Sequence, residues 1–600
     1  MPEGLKALPD RFNSALNEVE ARWWACGERA ERLSAAQLST YRGHGAVAGW
    51  RHHIEFPDRV RRLDVLVTAG FPFVPARVAL VDRPGFLTWP HVERDGLLCV
   101  LPSHATVSVD DPFGAVVGLL NMAREMIGRF GEVGAVEAEF RAEFLSYWSN
   151  SAENLDPPLL SVLDPAPPSR VIKVWEGRKR IVIGDQAGQL DAWLANLDPA
   201  MSSFERRLHD GIFVWLDEVP LPSEYPRTAK DIYALVAEHG LSDDLDRLAC
   251  AGRDRIFVAL GAATENGPAI VASVVKRPRI SRNSDPITRG FRPSRMPAQI
   301  LNARLFGAAL VGKALVDRAD GSWIHGRGHD ERFAKLRNAT VAVLGCGSVG
   351  APVAVNLARA GVGKLILVDQ QKIEAANIGR HPLGVRSING RKAVELAQRI
   401  RTDLPHMQVE AHFAAVQRLL LENDGLLGGV DLIVSALGDW PSESMLDEWH
   451  VVGGMKFPVV YGWTEPHAVA GHAVIVSSAT TGRLRDGVNS TGEPYLMAAE
   501  WDQEPRMYEP ACGAAFTPYG PVELGSVITL IGKAALDCLL GGIGDARGTH
   551  RIWLGDGEQL AAAGGRWSPA IQQIAPHALE GNTVVKRKWG QPLEAAVRAA

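Results

Sequence analysis

The stretch from Asn338 to Asp369 sets the tightest limit on how this chain can fold. Thr340–Leu344 is a short apolar strand, and Gly345-Cys346-Gly347-Ser348-Val349-Gly350 follows it at once. A helix then runs to Ala360 and stops at Gly361, a residue suited to a left-handed C-terminal cap. Lys364–Val368 is a second strand, ending on Asp369, 19 positions after Gly350. Strand, glycine loop, helix, strand and acid make one βαβ unit of a doubly wound sheet. Val430–Ala436, which leads into Gly438-Asp439, and Pro458–Gly462 are further strands of it. Glycines at 345, 347 and 350 let backbone amides approach phosphate, and the helix N-terminus adds partial positive charge. An acid at the tip of the second strand accepts hydrogen bonds from ribose hydroxyls. Gly345, Gly347, Gly350 and Asp369 are therefore expected to cradle a nucleotide.

One such unit fills only part of 600 residues, a length that suits about three to five domains. The net charge of −5 argues against a generic nucleic-acid coat, so no direct nucleic-acid binding is expected. No apolar run reaches the roughly 18 to 20 residues that span a bilayer, and the opening MPEGLKALPDRF lacks the apolar core of a secretory signal. Six cysteines without a CxxC pair argue against a disulfide framework or a four-cysteine zinc site. The expectation is a soluble cytoplasmic protein with no membrane segment.

Upstream, residues 11–35 read as an amphipathic helix, with Phe12, Leu16, Val19, Trp23 and Cys26 at three- and four-residue steps. Strand-like runs follow at Ala46–Phe56, Leu63–Thr68 and Arg77–Val81. Asp111-Pro112 opens a helix over Phe113–Phe130, aspartate as cap and proline at the first helical position. A second helix covers Val136–Trp148. This is a compact α+β unit. The proline-rich stretch from Asp156 to Pro168 reads as a boundary, and residues 170–330 alternate strands with loops. Lys276–Arg295, rich in Arg, Pro and Ser, reads as an exposed loop. The organisation expected is 1–155, a linking or docking α/β domain over 156–325, and the nucleotide domain over 326–600.

After Asp369 come Asn377-Ile378-Gly379-Arg380-His381 and Gly390-Arg391-Lys392-Ala393. This ordered set resembles the ThiF/MoeB and ubiquitin-activating adenylation family. The resemblance implies adenylation of a protein's C-terminal carboxylate by ATP with Mg2+. It implies that Asp369 contacts ribose, that Asn377, Arg380 and Lys392 address the triphosphate, and that Asp439 holds magnesium. It also implies a two-fold homodimer, with Arg327 or Arg332 as the residue that reaches across. Where the family often has a second aspartate, this chain has Gln371.

Cys512 lies in the Gly/Pro-flanked run from Pro510 to Gly520, before the apolar helix Leu524–Leu539. Its place resembles the catalytic-cysteine loop of prokaryotic activating enzymes. Cys538 and Cys346 read as small buried fillers, and Cys26 and Cys250 as core. Cys99 is different. It follows Phe71-Pro72-Phe73-Val74-Pro75 and the run His91 to Leu98, a pattern that resembles ubiquitin-conjugating enzymes. The resemblance implies that Cys99 accepts the activated group as a thioester. The family's His-Pro-Asn is here His91-Val92-Glu93, so an oxyanion donor has to come from elsewhere.

The order of conjugating-like domain, linker and activating-like domain resembles the bacterial CBASS-type ubiquitin-transferase-like fusions. That resemblance implies a relay from Cys512 to Cys99. Its substrate would be the C-terminal tail of a cGAS/DncV-like nucleotidyltransferase in anti-phage defence, or a dedicated ubiquitin-like protein. Three other readings stand at this point: sulfur-carrier activation, a nucleotide-sensing scaffold, and, on the glycine loop alone, an NAD-dependent dehydrogenase.

Overall fold

The computed structural model describes residues 3–27, 30–101, 108–150, 152, 155, 157–201, 206–278, 287–292, 295–327, 329–422, 425–478, 482–508, 515–541 and 549–590. It divides into two units. The first holds 1–159, 165–172 and 210–316; the second holds 160–164, 173–209 and 317–600. The 156–325 stretch is thus shared between them. No helix among the described residues is long and apolar enough to cross a membrane.

In the first unit, helix Glu3–Ala25 and helix Pro112–Arg129 pack on a four-stranded antiparallel sheet. Its strands Glu31–Arg32, Ala46–Glu55, Val60–Thr68 and Arg77–Leu80 are neighbours in chain order. Asp111 caps the second helix by accepting the Gly114 N–H at 3.0 Å, and Pro112 holds the first position as expected. Trp23, Trp50, Leu63, Val65 and Val116 fill the core between helices and sheet. The first helix stops earlier than the apolar spacing suggests. Cys26 makes its last helical bond to the Arg22 carbonyl, and Gly27 turns left-handed at φ +72°. Cys26 is consequently exposed, not core.

The same unit holds strand Leu208–Leu216 from Asp210 onward and strands Arg255–Thr264, Gly267–Lys276 and Leu310–Leu315. Helices Phe144–Ser149, Ala229–Glu238, Ser242–Cys250 and Ala298–Ala308 join them in one core. Trp148 is buried there and donates its Nε1–H to the Ala314 carbonyl at 3.1 Å. The run Val136–Trp148 is two helices, Ala135–Ala142 and Phe144–Ser149, rather than one. Cys250 is also exposed. Leu245 and Ala249 carry the buried face of its helix, and one residue further turns the side chain about 100° away. Lys276–Arg295 is not wholly exposed: Ile287 is buried in this core, and Arg304 donates to its carbonyl.

The second unit is built on an eight-stranded sheet. From one edge its strands are Gln408–His412, Lys364–Val368, Thr340–Leu344, Leu432–Ser435, Val459–Thr464, Ala470–Val476, His550–Leu554 and Thr583–Arg587. The first five are parallel and the last three antiparallel. Central strands covered on both faces read as unbroken apolar runs. Val341 and Val343 face helices Gly350–Arg359, Lys392–Asp403 and Pro521–Leu540, whereas Ala342 and Leu344 face helices Val416–Glu422 and Trp440–Val452. Helix Ala187–Leu197 docks beside Lys392–Asp403, where Asn196 Nδ2 donates to the Pro405 carbonyl at 2.9 Å.

A buried polar knot ties the later chain to this sheet. Glu465, His472 and His550 are all essentially inaccessible. Glu465 accepts His472 Nε2–H at 2.7 Å and the N–H groups of Ala498 and Ala499 at 2.5 and 2.9 Å. His472 Nδ1 meets His550 Nε2 at 3.0 Å, and burial lowers the His550 pKa well below its ordinary value.

Candidate active site

The glycine loop sits at the carboxyl end of Thr340–Leu344. The sheet order reverses there, because the chain first builds toward Gln408–His412 and then returns to place Leu432–Ser435 on the other side. Gly345 adopts φ +88°, and a Cβ there would lie 2.6 Å from the Ala436 carbonyl. A Cβ on Gly350 would lie 1.8 Å from the Gly345 carbonyl. A Cβ on Gly347 would meet nothing within 4 Å. Gly345 and Gly350 therefore close the loop on itself, whereas Gly347 borders open space that a phosphate can occupy.

Asp369 braces this loop from the next strand. Its Oδ2 accepts the Cys346 N–H at 2.8 Å and its Oδ1 accepts the Gln371 N–H at 2.6 Å. His381 braces the other side. Its Nδ1 accepts the Leu383 N–H at 3.2 Å, which leaves Nε2–H to donate to the Cys346 carbonyl at 2.9 Å. Burial lowers the His381 pKa, consistent with this neutral tautomer. Cys346 is fully buried, and burial together with the Asp369 charge pushes its thiol well up, so it is an inert filler.

Lys392 is buried at the start of its helix and donates Nζ–H to Gln371 Oε1 at 2.8 Å. A neutral amide at 371 holds the lysine without neutralising it. Arg380 ends the turn Ala375–Arg380, with its guanidinium 4.6 Å from the centroid of the Tyr519 ring. The Tyr519 hydroxyl meets Ser348 Oγ of the glycine loop at 2.9 Å. Asn377 lies in the same turn, where its Oδ1 accepts the Glu374 N–H at 3.1 Å. Asp439 caps helix Trp440–Val452, accepting both the Ser442 N–H and hydroxyl on Oδ2. Its Oδ1 keeps free valence among the described residues, which suits a divalent cation.

The residues Tyr519, Ser348, His381 and Glu443 complete the cradle without a role read from the sequence, beside Gln371, which the sequence marks only as a departure from the family pattern. Glu443 follows Asp439 by one helical turn and accepts from Ser435 Oγ at 2.9 Å. Burial pushes its carboxyl up to about 7. His381 stands inside the quoted motif, whereas nothing in the sequence marks Glu443. Arg332 is held by Asp330, with Nη2 at 2.7 Å from Oδ2, and Arg327 is exposed. Cys512 lies outside the described residues. Cys538 is partly buried against the core, and burial pushes its thiol up to about 12.

Cys99 belongs to the first unit and is exposed. Its N–H donates to the His91 carbonyl at 2.9 Å. His91, at φ +57°, is strapped down in turn: its N–H donates to Tyr147 Oη at 2.9 Å, and its Nε2 meets Glu139 Oε2 at 3.2 Å. Beside Cys99 runs a groove of about 290 Å³ lined by Val74, Pro75, Arg77, Val78, Val100 and Leu101 among others. Partial burial by these walls and the Glu143 and Glu93 carboxylates raise the thiol's pKa, while Arg77 lowers it. A surface thiol beside an extended, largely apolar groove can meet a flexible peptide end.

The chain joins two kinds of domain, a conjugating-like domain and an adenylating-type nucleotide domain. Residues 22–156 match the Prokaryotic E2 family B, and residues 325–535 match the ThiF family. The chain is similar to ubiquitin-like modifier-activating enzyme 5 of Xenopus laevis, 26% identical over 225 residues, covering 35% of this chain and 53% of that protein. It is also similar to the sulfur carrier protein adenylyltransferase of Thermus thermophilus, 32% identical over 130 residues, covering 21% and 46%. The chain thus spans about half the length of these curated relatives. Among solved structures, E. coli MccB with ATP is 14% identical with a TM-score of 0.30, covering 44% of this chain and 68% of that one. PaaA is 19% identical with a TM-score of 0.29, covering 37% and 62%.

Proposed function

We propose that this chain activates the C-terminal carboxylate of a protein with ATP and relays the acyl group through Cys512 to Cys99 for conjugation to an amine. The observation that carries the reading is the pairing, on one chain, of a braced nucleotide cradle with an exposed cysteine over a groove. The carboxylate oxygen attacks the α-phosphorus, and pyrophosphate leaves with the electron pair of the broken P–O bond. Backbone amides of the loop, Arg380 and Lys392 face the negative charge that the phosphates carry, and Asn377 lies in the same turn as Arg380. Asp369 reaches the ribose side while it holds the loop. A magnesium ion held by Asp439 would offset phosphate charge. The Cys512 thiolate then attacks the acyl carbon and AMP leaves. Cys99 takes the acyl group by thioester exchange, and an amine finally displaces the Cys99 thiolate, giving up a proton.

The substrate we favour is the C-terminal tail of a cGAS/DncV-like nucleotidyltransferase, in a CBASS-type anti-phage system acting in the cytoplasm as a homodimer. A dedicated ubiquitin-like protein would use the same chemistry. Sulfur-carrier activation has the Thermus thermophilus similarity in its favour, but it leaves Cys99 and its groove without a role.

The experiment is a trap. Cys99→Ser, expressed in the native host, is weighed intact, because an oxygen ester outlives a thioester. A protein-sized adduct that is lost when Cys512→Ala is added supports the relay, and peptide mapping identifies the substrate. No adduct, with ATP–pyrophosphate exchange intact in host extract, removes Cys99 as acceptor. Loss of both signals points to a nucleotide-sensing scaffold.

A further inference from the structure

We propose that Arg77 donates the hydrogen bonds that stabilise the oxyanion formed when an acyl group is transferred to or from Cys99. This rests on the reading of Cys99 as an acyl acceptor. It fills the place left by the conjugating enzymes' asparagine, which this chain replaces with Glu93.

The strand register puts the two residues together. Ala79 pairs antiparallel with Leu97, and the Leu98 N–H donates to the Val78 carbonyl at 2.8 Å. Continued one step further out, that register brings Arg77 to the side of Cys99. Both residues line the same groove. Arg77 is the cation whose charge lowers the Cys99 pKa.

Several of the donors around Cys99 are already engaged. The Cys99 N–H is bound to the His91 carbonyl, the His91 N–H to Tyr147, and the Glu93 N–H to the Leu97 carbonyl. His91 Nε2 faces Glu139. Arg77 has hydrogens to spare. Nη1 meets His44 Nδ1 at 3.0 Å and Nη2 donates to Glu93 Oε1 at 2.9 Å. That leaves Nε–H and one hydrogen on each terminal nitrogen without a partner among the described residues. His44 is itself fixed, its Nε2 lying 2.6 Å from Asp95 Oδ2. Asp95, His44 and Glu93 thus aim the guanidinium in advance. Glu93, which cannot donate to an oxyanion, becomes the residue that holds the donor.

The step balances without an external reagent. The Cys99 thiolate forms a bond to the carbonyl carbon, and the C=O π pair moves onto oxygen. The pair returns, the bond to the donor sulfur breaks, and that sulfur leaves as thiolate. Arg77 compensates the oxygen charge only in the tetrahedral state, so it acts on the barrier and not on the thioesters.

The test needs no natural substrate. The full chain is incubated with the acetylglycyl thioester of 2-mercaptoethanesulfonate, and acylation is read on the Cys99 peptide by mass. Alkylation of Cys99 by iodoacetamide, which forms no oxyanion, is measured in parallel. Both rates are taken on their high-pH plateaus, where the thiol is fully ionised. Arg77→Met is expected to slow acylation about 100-fold and alkylation less than about two-fold. Arg77→Lys should lie between, since a lysine keeps charge and loses the fork. Asp95→Asn, which loosens His44 and leaves Arg77 present, should slow acylation alone and serves if Arg77→Met misfolds. Equal acylation by Arg77→Met and the native chain overturns the proposal, as does an equal fall in both reactions. A native chain that takes iodoacetamide at Cys99 but no acyl group overturns the acceptor reading, and this one with it.

Discussion

The Arg380 guanidinium lies over the Tyr519 ring, 4.6 Å from its centroid, and the Tyr519 hydroxyl meets Ser348 Oγ at 2.9 Å. One side chain therefore links Arg380, which we propose faces phosphate, with the glycine loop and the segment that follows the Cys512 region. Tyr519→Phe keeps the ring under Arg380 and loses one hydrogen bond, worth about 1 kcal/mol. ATP affinity, measured calorimetrically, should fall by roughly five-fold. Tyr519→Ala removes both contacts and should cost distinctly more. Equal affinities for both variants and the native chain would remove Tyr519 from the site.

The glycines of the loop separate folding from binding. Gly350→Ala forces a Cβ to within 1.8 Å of the Gly345 carbonyl, so the loop has to move. It should lower stability by about 2 kcal/mol or more, seen as an earlier urea midpoint. Gly347→Ala meets nothing within 4 Å and should leave that midpoint unchanged. It should still weaken ATP binding at least about ten-fold, because the methyl enters the space read as the phosphate site. A Gly347→Ala chain that binds ATP normally would put the phosphates elsewhere.

The Glu143 carboxylate raises the Cys99 pKa, since a nearby negative charge disfavours the thiolate. Glu143→Gln should shift the pH profile of Cys99 alkylation to lower pH. The rate near neutrality should rise accordingly, with the plateau unchanged. Arg77→Met should shift the same profile the other way. A shift of both variants in one direction would contradict the charge assignment. The peptide carrying Cys99 has to be followed by itself, because Cys26 and Cys250 are exposed as well.

Glu465 is buried and accepts three hydrogen bonds, from His472, Ala498 and Ala499. Glu465→Ala strands all three donors in a dry interior and should cost about 3–5 kcal/mol. Limited proteolysis should then cut near residues 496–501 far sooner than in the native chain. Unchanged protection would mean that the apolar contacts of Leu496 and Ala498 hold this segment unaided.

The sequence by itself determined the first βαβ unit of the nucleotide domain, but not four of its eight strands, Gln408–His412, Ala470–Val476, His550–Leu554 and Thr583–Arg587. Thr340–Leu344 and Lys364–Val368 occur with the bounds their apolar runs imply, because parallel strands buried on both faces leave little room for polar residues. Gly345, Gly350 and Asp369 were legible for a related reason: a backbone turn against a neighbouring strand and an acid at a strand tip are local requirements. The first helix was overrun because apolar spacing carries no stop signal as strong as the left-handed Gly27. Cys26 and Cys250 misled because cysteine is usually buried, whereas one step around a helix decides its face.

Only the tertiary structure decided the partners. Tyr519 lies 171 residues from Ser348, and Glu465 lies 33 from Ala498. No periodicity announces such meetings, since they arise when separate elements pack on one sheet. Arg77 and Cys99 show the same division. Each is an ordinary residue in its own run, and only the folded chain brings a guanidinium and a thiol to one groove.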